Sequence, residues 1–242
     1  MVWGLWFHFW LFVATIVFGS LAIIFSFLDY SRTFSQHMAV WWAKTLLFLG
    51  RIPVQVQGLE HLNPGGTYVY AANHRSNFDI YVLLAVLPGQ FLWVAKKSLF
   101  RIPLFGQALS RMGYVPVDRA DRTSAIRSLN NATAKIKAGA SVIIFPEGTR
   151  ATVPELLPFK KGVFVMALKA GQPVVPVSIS GTRFIQPRAS LRVRPGLVKV
   201  VISPPIQPQG FERKEELMDA VRRAIEANYD PDFPYGTGSG RE

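Results

Sequence analysis

The chain of 242 residues contains no cysteine, so it has neither a disulfide framework nor a thiolate nucleophile to offer. Acids are scarce: 15 Asp and Glu stand against 27 Lys and Arg, for a net charge of +12. Between Leu156 and Phe211 there is no acid at all, while eight cations occur there, among them Arg183, Arg188, Arg192 and Arg194. A field of one sign favours an anionic partner, either lipid headgroups or nucleic acid. Charge of either sign is missing from Met1 to Leu28, and that apolar start turns the expectation from nucleic acid to membrane.

Several catalytic signatures are also missing. No G-x-S-x-G elbow occurs, which argues against a serine-nucleophile hydrolase. Neither G-x4-G-K-[ST] nor G-x-G-x-x-G occurs, so the common nucleotide-binding loops are not in play. The four histidines, His8, His37, His61 and His74, are too scattered to form a metal cluster by spacing, and no metal site is expected.

What is present begins with hydrophobicity, at half of all residues. As a helix, residues 1–28 would be about 42 Å long, against about 30 Å for a hydrocarbon core. A secretory signal fits poorly, because no basic stretch precedes the apolar run and no small-x-small site follows it. Phe34–Leu49 carries one charge, Lys44, and suits an interfacial helix with Trp41 and Trp42 at headgroup depth. The two segments either anchor separately or form a hairpin dipping into one leaflet; the alternative for 34–49 is a buried core helix of the globular domain. Arg32, Lys44 and Arg51 flank the apolar run on its C-terminal side, which puts the remaining chain on the cytoplasmic face of the cell (inner) membrane, integral or monotopic.

Beyond Gly50 the pattern is α/β. Strands are expected at 67–72, 91–95, 114–117, 141–145, 174–179 and 198–202, each rich in Val, Ile or aromatics. Helices are expected from Asn77, as its cap, to about Leu87, and from Pro103 to before Gly113. Further helices are expected over 124–138, 162–170 and 211–229. Alternating strands and helices predict a mixed, mostly parallel sheet flanked by helices. The expected organisation is a membrane-associated helical segment (1–50), a catalytic domain (51–229) and a loose tail (230–242). Every strand and motif lies beyond residue 50, so residues 1–28 are expected to be dispensable for folding.

Two polar segments stand out. Asn73-His74-Arg75-Ser76-Asn77-Phe78-Asp79 places a histidine five residues before an aspartate, between apolar stretches. An imidazole titrates near neutrality and suits proton removal, and a carboxylate can fix its tautomer. Within one helix the two would not face each other; across a loop-to-helix junction they can. Phe145-Pro146-Glu147-Gly148-Thr149-Arg150 follows a buried strand, at the carboxyl end where open α/β sheets bind ligands. Gly148 permits close backbone approach, Thr149 offers a hydroxyl, and Arg150 can grip a phosphate through two parallel hydrogen bonds.

These segments, with Ala95-Lys96-Lys97-Ser98-Leu99, Gly113-Tyr114-Val115-Pro116-Val117-Asp118-Arg119 and Val174-Val175-Pro176-Val177, occur in an order that resembles the 1-acylglycerol-3-phosphate acyltransferase family. The resemblance covers about residues 70 to 180 and implies a glycerol-3-phosphate acyltransferase-like fold. It implies His74 as general base and Asp79 as its orienting partner. It also implies Lys96, Arg119, Glu147, Gly148, Thr149 and Arg150 as the acceptor's phosphate site. Ser98 departs from the glutamate that many members carry there. Which of Lys96 and Lys97 points inward stays open.

The reaction implied moves a fatty acyl group from acyl-CoA or acyl-carrier protein to the sn-2 hydroxyl of lysophosphatidate, giving phosphatidic acid in phospholipid biosynthesis. The thioester is a co-substrate, and no cofactor is expected. Partners are then membrane lipid, the acyl donor and an anionic membrane surface, with no nucleic acid. The rival readings are acylation of glycerol-3-phosphate or another lysolipid, and a non-catalytic adaptor binding anionic lipid.

Overall fold

The computed structural model describes residues 2–29, 31–118 and 120–234. Its elements run α1 (Val2–Leu28), α2 (Thr33–Leu49), β1 (Val54–Gln57), β2 (Val69–Ala72), α3 (Phe78–Val86), β3 (Phe91–Lys96), α4 (Phe105–Arg111) and β4 (Val115–Val117). They continue with α5 (Arg122–Lys137), β5 (Ser141–Ile144), α6 (Lys161–Ala170), β6 (Val174–Ser180), α7 (Thr182–Ile185), β7 (Val198–Ile202) and α8 (Lys214–Glu226). One seven-stranded sheet has the order β1-β7-β6-β2-β5-β3-β4. Every pairing is parallel except β6 with β7.

The expected mixed, mostly parallel sheet is therefore the one observed. The central strands β2, β5 and β6 are buried at every residue, as a parallel sheet covered on both faces requires. Sequence reasoning missed β1, whose Val-Gln-Val-Gln alternation is only four residues long and half exposed. That alternation was the available signal.

Side chains alternate across the pleat and feed two separate cores. On one face, Tyr70, Ala72, Phe91, Trp93 and Ile143 join Phe78, Leu83 and Leu109 under α3 and α4. On the other, Val69, Ala71, Val142 and Ile144 meet Ile136, Phe164, Leu217, Val221 and Ile225 under α5, α6 and α8.

Helices α1 and α2 form an antiparallel hairpin. Ser35 Oγ donates to the Ala22 carbonyl at 2.9 Å, and Trp42 Nε1 donates to Thr15 Oγ1 at 3.2 Å. The hairpin is not an appendage: Phe7, Ala14, Ala43, Leu46 and Leu47 belong to the first core. Phe7 is buried with its ring centroid 5.0 Å from that of Phe78 on α3. Further along α1, a Cβ on Gly19 would lie 3.5 Å from the Leu104 side chain. Near its end, the Arg111 guanidinium sits 4.1 Å above the Phe27 ring.

This corrects the expectation that residues 1–28 are dispensable, because deleting α1 would uncover Phe78 and Tyr81. Phe7→Ala is expected to destabilise the protein by about 3–5 kcal/mol through a cavity in that core. The check is the unfolding midpoint of the full chain in detergent. An unchanged midpoint would mean that α1 merely rests on the body.

The outer face of α1 exposes Val2, Leu5, Phe9, Phe12, Ile16 and Ile24 at helical spacing. By length and composition α1 is long and apolar enough to cross a membrane, and it is the single such helix among the described residues.

Candidate active site

Strand β2 lies between β5 and β6, and both of its pairings are parallel, so the loops after β2 and β5 leave the same, carboxyl end of the sheet. Just past β2, the Asn73 side chain stands in for a strand residue: its Nδ2 donates to the Ile179 carbonyl (2.8 Å) and its Oδ1 accepts from Ile179 N (2.7 Å). That pins the backbone from which His74 projects.

Asp79, fully buried in the first turn of α3, gathers the loop around one oxygen. Its Oδ2 accepts from His74 Nδ1 at 2.8 Å, Arg75 N at 2.6 Å and Ser76 N at 2.8 Å. With Nδ1 donating to that carboxylate, the ring proton sits on Nδ1 and Nε2 is left as the nitrogen able to accept a proton. The imidazole lies flat on Phe145, with ring centroids 3.8 Å apart and planes 8° from parallel. The ring can neither tilt nor flip without breaking one of these contacts.

The expected cap is corrected here. Asn77 already has helical dihedrals, φ −64° and ψ −26°, and makes no side-chain cap bond. Ser76 Oγ accepts from Phe78 N instead, at 3.2 Å. The Asn77 amide is used across the loop, where its Oδ1 accepts from Arg150 Nη1 at 2.8 Å and its Nδ2 donates to Gln186 Oε1 at 3.3 Å.

The loop after β5 is strapped to the first. Gly148 N donates to the Phe145 carbonyl at 2.9 Å, closing a turn that leaves Gly148 at φ +72°, where any Cβ would be strained and 3.2 Å from Lys160 Cγ. Ala151 N donates to the His74 carbonyl at 2.9 Å. Glu147 is buried and takes donors on both oxygens: His74 N (2.8 Å) on Oε1, with Arg75 Nη1 (3.2 Å) and Leu157 N (2.8 Å) on Oε2. The expected role of Glu147 in the phosphate site is therefore corrected. A buried anion already holding three donors would repel a phosphate, and it acts by fixing the His74 backbone.

Arg75, Tyr229 and Gln186 escaped sequence reasoning. Arg75 is the largest fully buried side chain among the described residues, and besides Glu147 it donates from Nε to Tyr229 Oη at 2.9 Å and from Nη2 to the Glu155 carbonyl at 3.1 Å. Burial pushes the Tyr229 phenol up, with the Arg75 charge opposing. Arg75 stood inside the first motif and could have been suspected. Tyr229, 154 residues away, carried no signal.

Of the other expected phosphate ligands, Arg150 arrives beside the loop after β2 and near Tyr81, whose phenol is raised by burial while the Arg150 charge pulls it down. Thr149 is half-exposed on the same loop. Lys96 is exposed at the end of β3, and the pleat aligns it with Leu92 and Val94, opposite Phe91 and Trp93, so the fold does not bring it to His74. Lys97 begins a 3-10 turn, and its Nζ lies 3.5 Å from Asp118 Oδ2. Arg119 lies outside the described residues.

An oriented base and a guanidinium on one loop pair can deprotonate a hydroxyl carried by an anionic molecule. Residues 53–180, which contain both motifs, match the family model described as Acyltransferase. The chain belongs to the acyltransferase family. A chloroplastic 1-acyl-sn-glycerol-3-phosphate acyltransferase of Brassica napus is 40% identical to this member over 199 residues, covering 81% of this chain and 56% of its own length. The alpha form from Bos taurus is 32% identical over 181 residues, 74% of this chain and 63% of its own length. The chain thus spans roughly half to two thirds of the length of these curated relatives. The crystal structure of the 1-acyl-sn-glycerophosphate acyltransferase PlsC from Thermotoga maritima superposes with a TM-score of 0.81 at 29% identity, covering 93% of this chain and 94% of that one.

Proposed function

We propose that the chain transfers a fatty acyl group from acyl-CoA or acyl-carrier protein to the sn-2 hydroxyl of 1-acylglycerol-3-phosphate, giving phosphatidic acid. The observation that carries this reading is the 2.8 Å bond from His74 Nδ1 to Asp79 on a loop that also holds Arg150 through Asn77. The relatives named above are 1-acyl-sn-glycerol-3-phosphate acyltransferases, which supports lysophosphatidate as the acceptor, and the hydroxyl left free in that molecule is at sn-2.

His74 Nε2 takes the hydroxyl proton as the oxygen attacks the thioester carbonyl. The tetrahedral intermediate then expels the thiolate, which recovers that proton from the imidazolium held by Asp79. The hydroxyl is the nucleophile throughout, so no acyl-enzyme forms, in keeping with a chain that has no cysteine. Arg150 holds the acceptor's phosphate, with Thr149 beside it on the same loop. The thioester is the only co-substrate this scheme requires.

The α1–α2 hairpin supports attachment to one leaflet. α1 meets the body at Gly4, Phe7, Gly19 and Phe27, so a perpendicular crossing would draw the body into the hydrocarbon. Lying along the surface, it buries its apolar outer stripe in lipid and keeps the body in water. The positive flank at Arg32, Lys44 and Arg51 favours the cytoplasmic face.

The test is purified protein assayed with lysophosphatidate, glycerol-3-phosphate and other lysolipids, each with both donors. Turnover confined to another acceptor would overturn the reading. In the same assay Arg150→Ala is expected to raise the KM for lysophosphatidate about tenfold or more, while the KM for the donor stays near wild type. Arg150→Lys should recover only part, since an ammonium lacks the planar fork. Equal effects on both substrates would remove Arg150 from the phosphate site.

A further inference from the structure

Between α7 and β7 runs a loop, residues 186–197, that touches the candidate site at one end and α1 at the other. The Gln186 carbonyl accepts from Ser76 Oγ at 2.8 Å, and Arg188 Nη1 donates to the Arg150 carbonyl at 2.8 Å. Farther on, the loop backbone lies against the first turn of α1. A Cβ on Gly4 would stand 2.9 Å from the Leu191 carbonyl oxygen and 3.7 Å from Arg192 Cα, so this contact needs the residue that has none.

The loop is held in shape rather than left to hang. Gln186 Nε2 donates to the Ser190 carbonyl at 3.0 Å, Arg192 N donates to Ser190 Oγ at 3.0 Å, and Val193 is buried in the first core. Yet this ordered loop presents the Leu191 side chain 78% exposed, beside an α1 turn whose Val2 and Leu5 are 82% and 70% exposed. Exposed leucines are ordinary singly; one that adjoins another exposed apolar face is not. Around it stand exposed Arg188, Arg192 and Arg194, with no acid anywhere between Leu156 and Phe211. An apolar tip ringed by cations matches the layering of a bilayer, with hydrocarbon inside and phosphates at the rim.

We propose that the 186–194 loop is a membrane contact additional to the α1–α2 hairpin, with Leu191 entering the acyl layer of an anionic phospholipid bilayer and Arg188, Arg192 and Arg194 resting on its phosphates. The proposal rests on the membrane reading of the hairpin given above. The loop's other end holds Ser76 and Arg150, so this contact sets the height of His74 relative to the headgroup layer. That layer is where a lysophosphatidate presents its phosphate and its free hydroxyl.

The lack of cysteine makes the test direct, since any introduced thiol is unique. Leu191→Cys, Phe12→Cys on the outer face of α1 and Asp219→Cys on α8 are each labelled with an environment-sensitive fluorophore in the full chain. They are then bound to phosphatidylcholine vesicles with and without phosphatidylglycerol. The label at 191 is expected to shift to the blue on anionic vesicles and to be quenched severalfold by lipids carrying a quencher just below the headgroups. The label at 219, across the sheet, should stay in water. If the 12 label enters lipid and the 191 label does not, the proposal fails and the hairpin reading survives. If neither enters lipid, both fail. A 191 label that responds only to acyl-carrier protein assigns the loop to the donor and overturns the proposal as well.

A second measurement uses the unlabelled Arg192→Glu/Arg194→Glu variant. Anionic lipid should lose its severalfold stimulation of acyl transfer on vesicles, while turnover of a short-chain acceptor in free solution is unchanged. An equal loss with both acceptors would mean that the arginines serve the site itself and would overturn the membrane assignment.

Discussion

His74→Ala should lower acyl transfer by about 10²–10⁴-fold, the usual contribution of a positioned general base. The imidazole has Nδ1 committed to Asp79 at 2.8 Å and its ring flat on Phe145, which leaves Nε2 as the nitrogen able to take a proton. Folding should survive the change, because Asp79 keeps the Arg75 and Ser76 amides as donors. Asp79→Asn is the companion test, since it preserves size but can present an amide hydrogen to Nδ1 and select the wrong tautomer. The measurement is turnover at saturating lysophosphatidate and donor, alongside the thermal midpoint. Turnover within a few-fold of wild type for His74→Ala would remove it from the mechanism.

Glu147→Ala should be the most destabilising single change at the site, at about 3–5 kcal/mol, because it strands the Arg75 guanidinium in the interior. The pair is 3.2 Å apart, with side chains 1% and 0% exposed, so solvent can screen neither partner. Removing both charges tests this reading. Arg75→Leu/Glu147→Met is expected to regain most of the lost stability, as apolar replacements of buried pairs commonly do. Activity should nevertheless stay low, because His74 N loses its acceptor on Glu147. Chemical denaturation and turnover measured on the same preparations separate the two effects. Full activity in the stable double variant would make Glu147 a fold residue only.

The contrast between Asp79 and Glu147 explains how much of the site was legible. Asp79 lies five residues from His74, and their meeting depends on one local event, a helix starting at Phe78. A polar loop between an apolar strand and an apolar helix announces that event. Glu147 looked like part of an anion site because a Pro-Glu-Gly-Thr-Arg turn at a strand end usually faces outward. Its partners His74 and Arg75 lie 73 and 72 residues away, and nothing local said that the carboxylate would turn inward to meet them.

The same division runs through the fold. The strands at 91–96, 141–144, 174–180 and 198–202 were legible from runs of β-branched and aromatic residues, and the longer helices from apolar spacing or from cap and proline signals, while the four-residue α7 was not. β1 was not, because four alternating residues at a sheet edge give a weak periodic signal. α1 was legible as apolar and helical, but its buried stripe was not. A helix that is apolar all round gives the sequence no means of saying which face meets protein and which meets lipid.

By itself, then, the amino-acid sequence determined which chemical groups exist and which short-range elements carry them: a base five residues before a carboxylate, an arginine after a turn, a basic stretch without acids, and an apolar start. Only the tertiary structure decided which of those groups are free to act. Placing β2 between β5 and β6 brings together loops more than seventy residues apart, and hydrogen bonding then divides the polar groups. Glu147 and Arg75 are consumed inside, Lys96 is left exposed on the far face of β3, and Arg150 is tied through Asn77 to the loop that carries His74. The physical reason is that burial and pairing depend on neighbours in space, and a parallel sheet takes its spatial neighbours from distant parts of the chain.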